Sequence, residues 1–221
     1  MTTAPLVEAI RAPGLVGIPA HEWMWTATTE ALIRLMLRLP SGSRLSFVSG
    51  GSTIAEKREE LVLEMLAMST AQWLLFVDAD MTPPRDTVER LLRHDVDIVG
   101  ATYFGRTPPF LCEFHPVAGQ TFRVGTKGLV PVEWLGAGCL LIRRRVFEQL
   151  QQPWFSHDAL GVDEDIRFCE RARQAGFQIW MDADLDVGHI GVTPVDRRFV
   201  VAWHQTAHPE LWPTTVAHQA R

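Results

Sequence analysis

An α/β fold is predicted for this chain of 221 residues: a mostly parallel, Rossmann-type sheet with helices on both faces, followed by a half of mixed character. Three observations predict it. Short apolar runs alternate with amphipathic stretches over the first hundred residues, the trace that strand–helix–strand units leave in a sequence. Gly, Pro and isolated aromatics break that rhythm from 105 to 138. Hydrophobic residues make up 47% and charged residues 21%, which supplies a core and excludes a disordered chain.

The elements follow in order. Runs at 15–18, 45–48, 73–77 and 97–101 read as strands. Between them, 28–39, 54–68 and 85–93 carry helical spacing, with Leu61, Met65 and Met68 as a core-facing stripe. In the second half, 130–135 and 139–142 are short strands, and a helix starts near Arg143. A helix over 163–174 ends at Gly176, where a C-cap glycine belongs, and leads into a strand at 177–181. A last helix is expected near 197–205, before a Pro-containing tail. No repeat or linker divides the chain, so one domain over 1–221 is expected.

Several classes are excluded. No apolar run approaches the roughly 20 residues that span a bilayer, and the first residues lack a basic-then-apolar leader. A soluble cytoplasmic protein without a membrane span is therefore expected. A net charge of −5 gives no general basic field for gripping long nucleic acid. Arg143-Arg144-Arg145 reads as a local basic patch or as a solvated helix start. Cys112, Cys139 and Cys169 form no CxxC pair and read as buried reduced thiols. The chain has no GxxxxGK[ST], no GxGxxG between a strand and a helix, and no GxSxG elbow.

Chemistry is concentrated in a few segments. In FVDADMTPP an apolar strand runs into Asp78 and Asp80, then a turn closed by two prolines. Residues two apart on an extended chain point to one side, so these carboxylates are expected to converge on a divalent cation; the other reading is an Asx turn before a helix. Asp163-Glu164-Asp165 opens the helix ending at Gly176. A helix dipole accounts for one or two acids there, and a third can project into a cleft as a general base. His189 follows a strand between Gly188 and Ile190-Gly191, a setting suited to a ligand. Lys57 and Arg58, after Ser49-Gly50-Gly51-Ser52-Thr53, either approach a diphosphate or form a solvated helix face.

In order and spacing, these segments resemble a glycosyltransferase of the GT-A fold, close to family 2 and its bacterial and phage relatives. The resemblance covers roughly 14–192 and rests on Gly17-Ile18-Pro19, on Gly51-Ser52-Thr53-Ile54 leading to Arg58, on FVDADMTPP, and on GAGCLLIRRRVFEQL followed by DEDIRFCERARQAG and GHIG. It implies transfer of a sugar from a nucleotide-sugar donor, UDP-sugar favoured, to an acceptor hydroxyl, with inversion, inside a bacterial cell or phage-infected host. Asp78, Asp80 and His189 would hold Mn²⁺ or Mg²⁺. Pro19, Ser52, Arg58, Asp78 and Ala79 would contact the donor. Trp134, Gly136 and Gly138 would line the acceptor side, and Asp165, with Glu164 second, would be the base. Asp163 would be a helix cap. The donor half would span about 14–104 and the acceptor half about 105–192. Segment 193–221, anchored by Trp203 and Trp212, would act as a lid or a homo-oligomer contact. The acceptor stays open among glycan, protein, small molecule and modified DNA base. The alternatives are a metal-dependent nucleotidyltransferase and a non-catalytic carbohydrate-binding module.

Overall fold

The computed structural model describes residues 11–51, 53–120, 122–157, 162–191 and 194–206. The first half alternates as expected: β1 (Leu15–Pro19), α1 (Thr26–Met36), β2 (Arg44–Val48), α2 (Ile54–Ala67), β3 (Trp73–Val77), the short β4 (Met81–Thr82), α3 (Thr87–Arg93) and β5 (Ile98–Thr102). The second half contains β6 (Phe114–Pro116), β7 (Leu129–Leu135), β8 (Cys139–Arg143), α4 (Arg144–Gln149), α5 (Glu164–Gln174), β9 (Ile179–Asp186), β10 (Gly188–Ile190), β11 (Pro194–Val195) and α6 (Arg197–Thr206).

Eight strands form one sheet in the order β2-β1-β3-β8-β5-β9-β7-β6, and β11, β10 and β4 form a second, small one. In the large sheet β2, β1, β3, β5, β9 and β6 share a direction, while β8 and β7 oppose it. The shared direction matches the parallel expectation. The insertion of β8 between β3 and β5, antiparallel to both, makes the sheet mixed.

Alternation along the buried strands divides the core into two layers. Leu74 and Phe76 pack with Leu61 and Met65 of α2, Phe147 of α4 and Phe168 of α5. Trp73, Leu75 and Val77 pack on the other face with Leu32 and Leu35 of α1 and Leu91 and Leu92 of α3. Helix α2 begins with a capping box: Thr53 Oγ1 accepts from the Glu56 N–H at 3.2 Å, and Glu56 Oε2 accepts from the Thr53 N–H at 2.8 Å. Arg144 closes its other end, donating to the carbonyls of Leu66, Met68 and Ala71 at 3.0, 2.9 and 3.3 Å, groups that a helix terminus leaves without partners. Arg143 lies 3.7 Å from Asp95 and Arg145 pairs with Asp97. Arg144 is thus spent on backbone carbonyls, while Arg145 is exposed at the helix start, paired with Asp97.

Helix α5 ends as expected. Gly176 has φ +93°, a conformation that suits glycine, and the Phe177 N–H reaches the Ala172 carbonyl at 3.0 Å, the signature of a Schellman turn. The three cysteines are buried and unpaired, and burial pushes the Cys139 and Cys169 thiols up to about 12. Among the described residues, no helix is long and apolar enough to cross a membrane.

Candidate active site

The carboxyl ends of β1, β3, β5 and β9 gather at one end of the sheet, where the reversed strand β8 begins. Ligands of open α/β sheets bind at such an end. Pro19, Asp78, Tyr103 and the 136–138 turn are brought together there, and the Asp78 N–H donates to the Gly138 carbonyl at 3.0 Å.

The two carboxylates of the DxD segment do not behave as residues of one strand. Extended pairing stops at Val77, and the chain turns, with the Met81 N–H donating to the Asp78 carbonyl at 3.0 Å. The strand rule that would bring Asp78 and Asp80 to one side no longer applies beyond that point. Asp78 Oδ1 accepts from Arg58 Nη2 at 3.0 Å. Asp80 Oδ2 instead lies 3.4 Å from His189 Nε2 and accepts from Arg106 Nη1 at 2.8 Å. The small sheet makes the Asp80–His189 meeting possible: β10 pairs with β4 in the register His189↔Met81, and the Ile190 N–H donates to the Asp80 carbonyl at 2.8 Å.

Among the described residues, no group of three His, Cys, Asp or Glu side chains stands ready to hold a metal ion. The expected trio of Asp78, Asp80 and His189 is thus not a preassembled set, but two of its members fit a cation. His189 Nδ1 sits 2.8 Å from the Phe104 carbonyl. A carbonyl only accepts, so Nδ1 donates there, and Nε2 is the ring nitrogen turned toward the Asp80 carboxylate. A cation would take the Asp80 oxygen and, in place of any proton there, His189 Nε2 as ligands. Burial alone would raise Asp80, but contact with His189 and the charge of Arg106 outweigh it and hold the carboxyl below its usual range.

Arg58 is buried and does not face a solvated helix surface. Its Nε donates to Glu164 Oε1 at 3.0 Å, its Nη2 to Asp78, and its Nη1 to the Ala137 carbonyl at 3.4 Å. Burial opposes its charge, and Asp78, Glu164 and Asp165 overcome that opposition to hold the guanidinium above its usual range. Lys57 is buried as well, its Nζ donating to the Ala20 carbonyl at 2.7 Å. Neither residue forms a solvated helix face, and Arg58 meets the end of β3 through Asp78.

Two of the three adjacent acids turn inward. Asp163 occupies the N-cap position of α5 without a side-chain cap bond. Glu164 meets Arg58. Asp165 Oδ2 accepts from the Ala137 N–H at 3.1 Å and its Oδ1 from the Ile166 N–H at 2.7 Å. Burial and then the Glu164 carboxylate push Asp165 up to about 7, against the pull of Arg58 and the two N–H donors.

Tyr103 joins the two groups of residues. Its ring meets His189 edge-on at 5.8 Å, and its hydroxyl accepts from the Gly138 N–H at 3.1 Å. Burial, then Asp165 and Asp78, push the phenol well above its usual value, so it stays protonated. Tyr103 and Met81 explain the glycines of the turn: a Cβ at Gly136 would lie 2.1 Å from the Tyr103 hydroxyl, and one at Gly138 would lie 2.5 Å from Met81 Cε and 3.0 Å from that hydroxyl. Gly136→Ala is expected to cost about 1–3 kcal/mol by overpacking, read as a lower urea midpoint at unchanged slope.

Of the other expected contacts, Pro19 ends β1 at the site's end of the sheet, Ala79 lies in the turn, and half-buried Trp134 stacks on His115 at 6.2 Å. Ser52 and Trp212 lie outside the described residues. Trp203, on α6, packs edge-on against Phe110 at 5.1 Å. Tyr103 and Arg106 were not expected at the site. The available signal was position: both follow β5, at the same sheet end as Asp78, and Tyr103 is the chain's single tyrosine. A cavity of about 430 Å³ opens elsewhere, between Arg11, Arg38, Leu39, Arg85 and Glu89, with none of these site residues on its wall.

No protein-family model matches the chain, and no curated protein matches its sequence. Solved structures do match. A197 from STIV superposes with a TM-score of 0.61 at 19% identity, over 81% of this chain and 86% of that one. The fold is of the GT-A type. The catalytic domain of a Drosophila β1,4-galactosyltransferase 7, solved with xylobiose, matches at a TM-score of 0.45 and 16% identity, over 78% of this chain and 66% of that one. In GT-A terms, the first βα units, the turn after β3 and the start of α5 stand in one contiguous arrangement at the strand ends.

Proposed function

We propose that this protein is a glycosyltransferase that moves a sugar from a nucleotide-sugar donor, UDP-sugar favoured, to an acceptor hydroxyl with inversion. One observation carries the reading: the cation-competent pair Asp80–His189 and the carboxylate Asp165 share one sheet end, linked through Tyr103 and the 136–138 turn. Such a pairing of a cation site with a base suits displacement at an anomeric carbon.

Asp165 takes the proton of the acceptor hydroxyl as its oxygen attacks the anomeric carbon, and the sugar–phosphate bond breaks with its electron pair leaving on the diphosphate. Ala137 and Ile166 hold the Asp165 oxygens through their N–H groups. Tyr103 and the Phe104 carbonyl fix the His189 ring. Asp80 and His189 would hold Mn²⁺ or Mg²⁺, which when bound supplies positive charge for the departing diphosphate. A mixed nitrogen and oxygen ligand pair suits Mn²⁺ at least as well as Mg²⁺.

A panel of nucleotide sugars with Mn²⁺ tests the reading. One donor should raise thermal stability, by about 2.7 kcal/mol at a hundred times its Kd, and slowly release nucleoside diphosphate without acceptor. A chain that binds sugars yet releases no nucleoside diphosphate would be a binding module instead. Asp80→Ala should abolish the metal-dependent part of donor binding and leave the unliganded thermal midpoint nearly unchanged, because the ion pair it removes reaches a solvent-exposed arginine.

A further inference from the structure

We propose that Arg106 is a diphosphate-binding residue whose resting place on Asp80 makes cation binding conditional on the arrival of the diphosphate. The inference rests on the glycosyltransferase reading and extends it to a residue that neither the motifs nor the fold assigns.

Arg106 Nη1 donates to Asp80 Oδ2 at 2.8 Å, and the same oxygen faces His189 Nε2 at 3.4 Å. A divalent ion held by that oxygen and that nitrogen would stand against the guanidinium. The Arg106 guanidinium already balances the Asp80 carboxylate, so adding a divalent ion leaves an excess of positive charge around that one carboxylate. An anionic diphosphate removes the excess, and the planar guanidinium fork suits its oxygens. Metal and diphosphate should therefore favour each other's binding, and such coupling is reciprocal.

The supporting loop confines the required movement to one side chain. Phe104 and Cys112 bridge its base, and the Gly105 N–H donates to the Leu111 carbonyl at 2.8 Å. Beside that bond, Phe110 packs edge-on against Phe199 and Trp203 of α6, each at 5.1 Å. The Phe104 carbonyl of this loop also orients His189. The Arg106 side chain is 53% exposed, so it can leave Asp80 for a neighbouring phosphate without disturbing the core.

Two binding measurements on the whole protein test this without relying on turnover. Mn²⁺ alone is titrated into wild type, Arg106→Gln and Arg106→Lys and followed by the free-ion resonance signal. Inorganic pyrophosphate is titrated into the same proteins in EDTA by calorimetry. The Gln variant should bind Mn²⁺ about tenfold more tightly and pyrophosphate about tenfold more weakly, the scale of one charge-assisted hydrogen bond gained or lost. The Lys variant, keeping the charge, should stay close to wild type for Mn²⁺. A residue with a structural role alone would move both affinities in one direction or neither. Unchanged or weaker Mn²⁺ binding in Arg106→Gln overturns the proposal, as does unchanged pyrophosphate binding. If wild type binds neither pyrophosphate nor UDP with Mn²⁺, the glycosyltransferase reading fails and takes this inference with it; wild-type binding with an indistinguishable Gln variant defeats the inference alone.

Discussion

Asp165→Asn is expected to lower turnover by two or more orders of magnitude, the usual scale for loss of a general base, while leaving donor affinity unchanged. The amide keeps the side chain's size and one acceptor oxygen for the Ala137 or Ile166 N–H, but it takes no proton. Burial and the Glu164 carboxylate hold Asp165 at about 7, so wild-type turnover should rise with pH through that value as the base is freed, and the Asn variant should lose this limb. The same shift makes a stability prediction of definite sign. Between the unfolded Asp value and about 7, the folded state binds the extra proton, so stability falls as pH rises across that window. Urea unfolding at pH 5 and pH 8 checks this, and the pH dependence should be weaker in Asp165→Asn. An inverted product formed at near-normal rate by the variant would remove Asp165 from the role of base.

Local pattern carries most of the element list and little of the pairing. The fully buried run of β3 and the Leu61–Met65 stripe of α2 are written in residue order, because burial on both faces or on one stripe leaves a period. The reversal of β8 between β3 and β5 leaves none: an apolar run reads the same in either direction. Strands β4, β10 and β11, of two or three residues, are too short to show alternation, although they are what joins His189 to Asp80. The residue types of the site were legible, since paired acids after a buried strand and acids opening a helix are unusual company. Their partners were not. Arg58 reads as surface on a helix rich in charge, and only contacts to Asp78 and Glu164, 20 and 106 residues away, place it in the interior. Asp78 and Asp80 diverge because the strand ends at Val77, one residue before the period-two rule would have been needed.

Arg58→Met is expected to destabilise the protein by about 3–5 kcal/mol, the scale for removing one partner of a buried ion pair. The methionine replaces the aliphatic stem and fills space beside Phe76, whose ring lies 5.2 Å from the guanidinium carbon, but it leaves two carboxylates without their counter-ion. Those carboxylates belong to different elements: Asp78 follows β3 and Glu164 opens α5. The guanidinium therefore holds the turn of the candidate donor site against the helix of the candidate base, and their mutual repulsion would part them once it is gone. Glu164 has a side-chain exposure of 7%, so it gains little solvation where it stands. Arg58→Met/Glu164→Gln should recover part of the loss, because the second change removes one of the stranded charges. A double-mutant cycle by urea unfolding isolates that coupling. Additive losses from the two single changes would show that Arg58 contributes through packing, and the link between the two halves of the site would then have to lie in the Ala137–Asp165 bond.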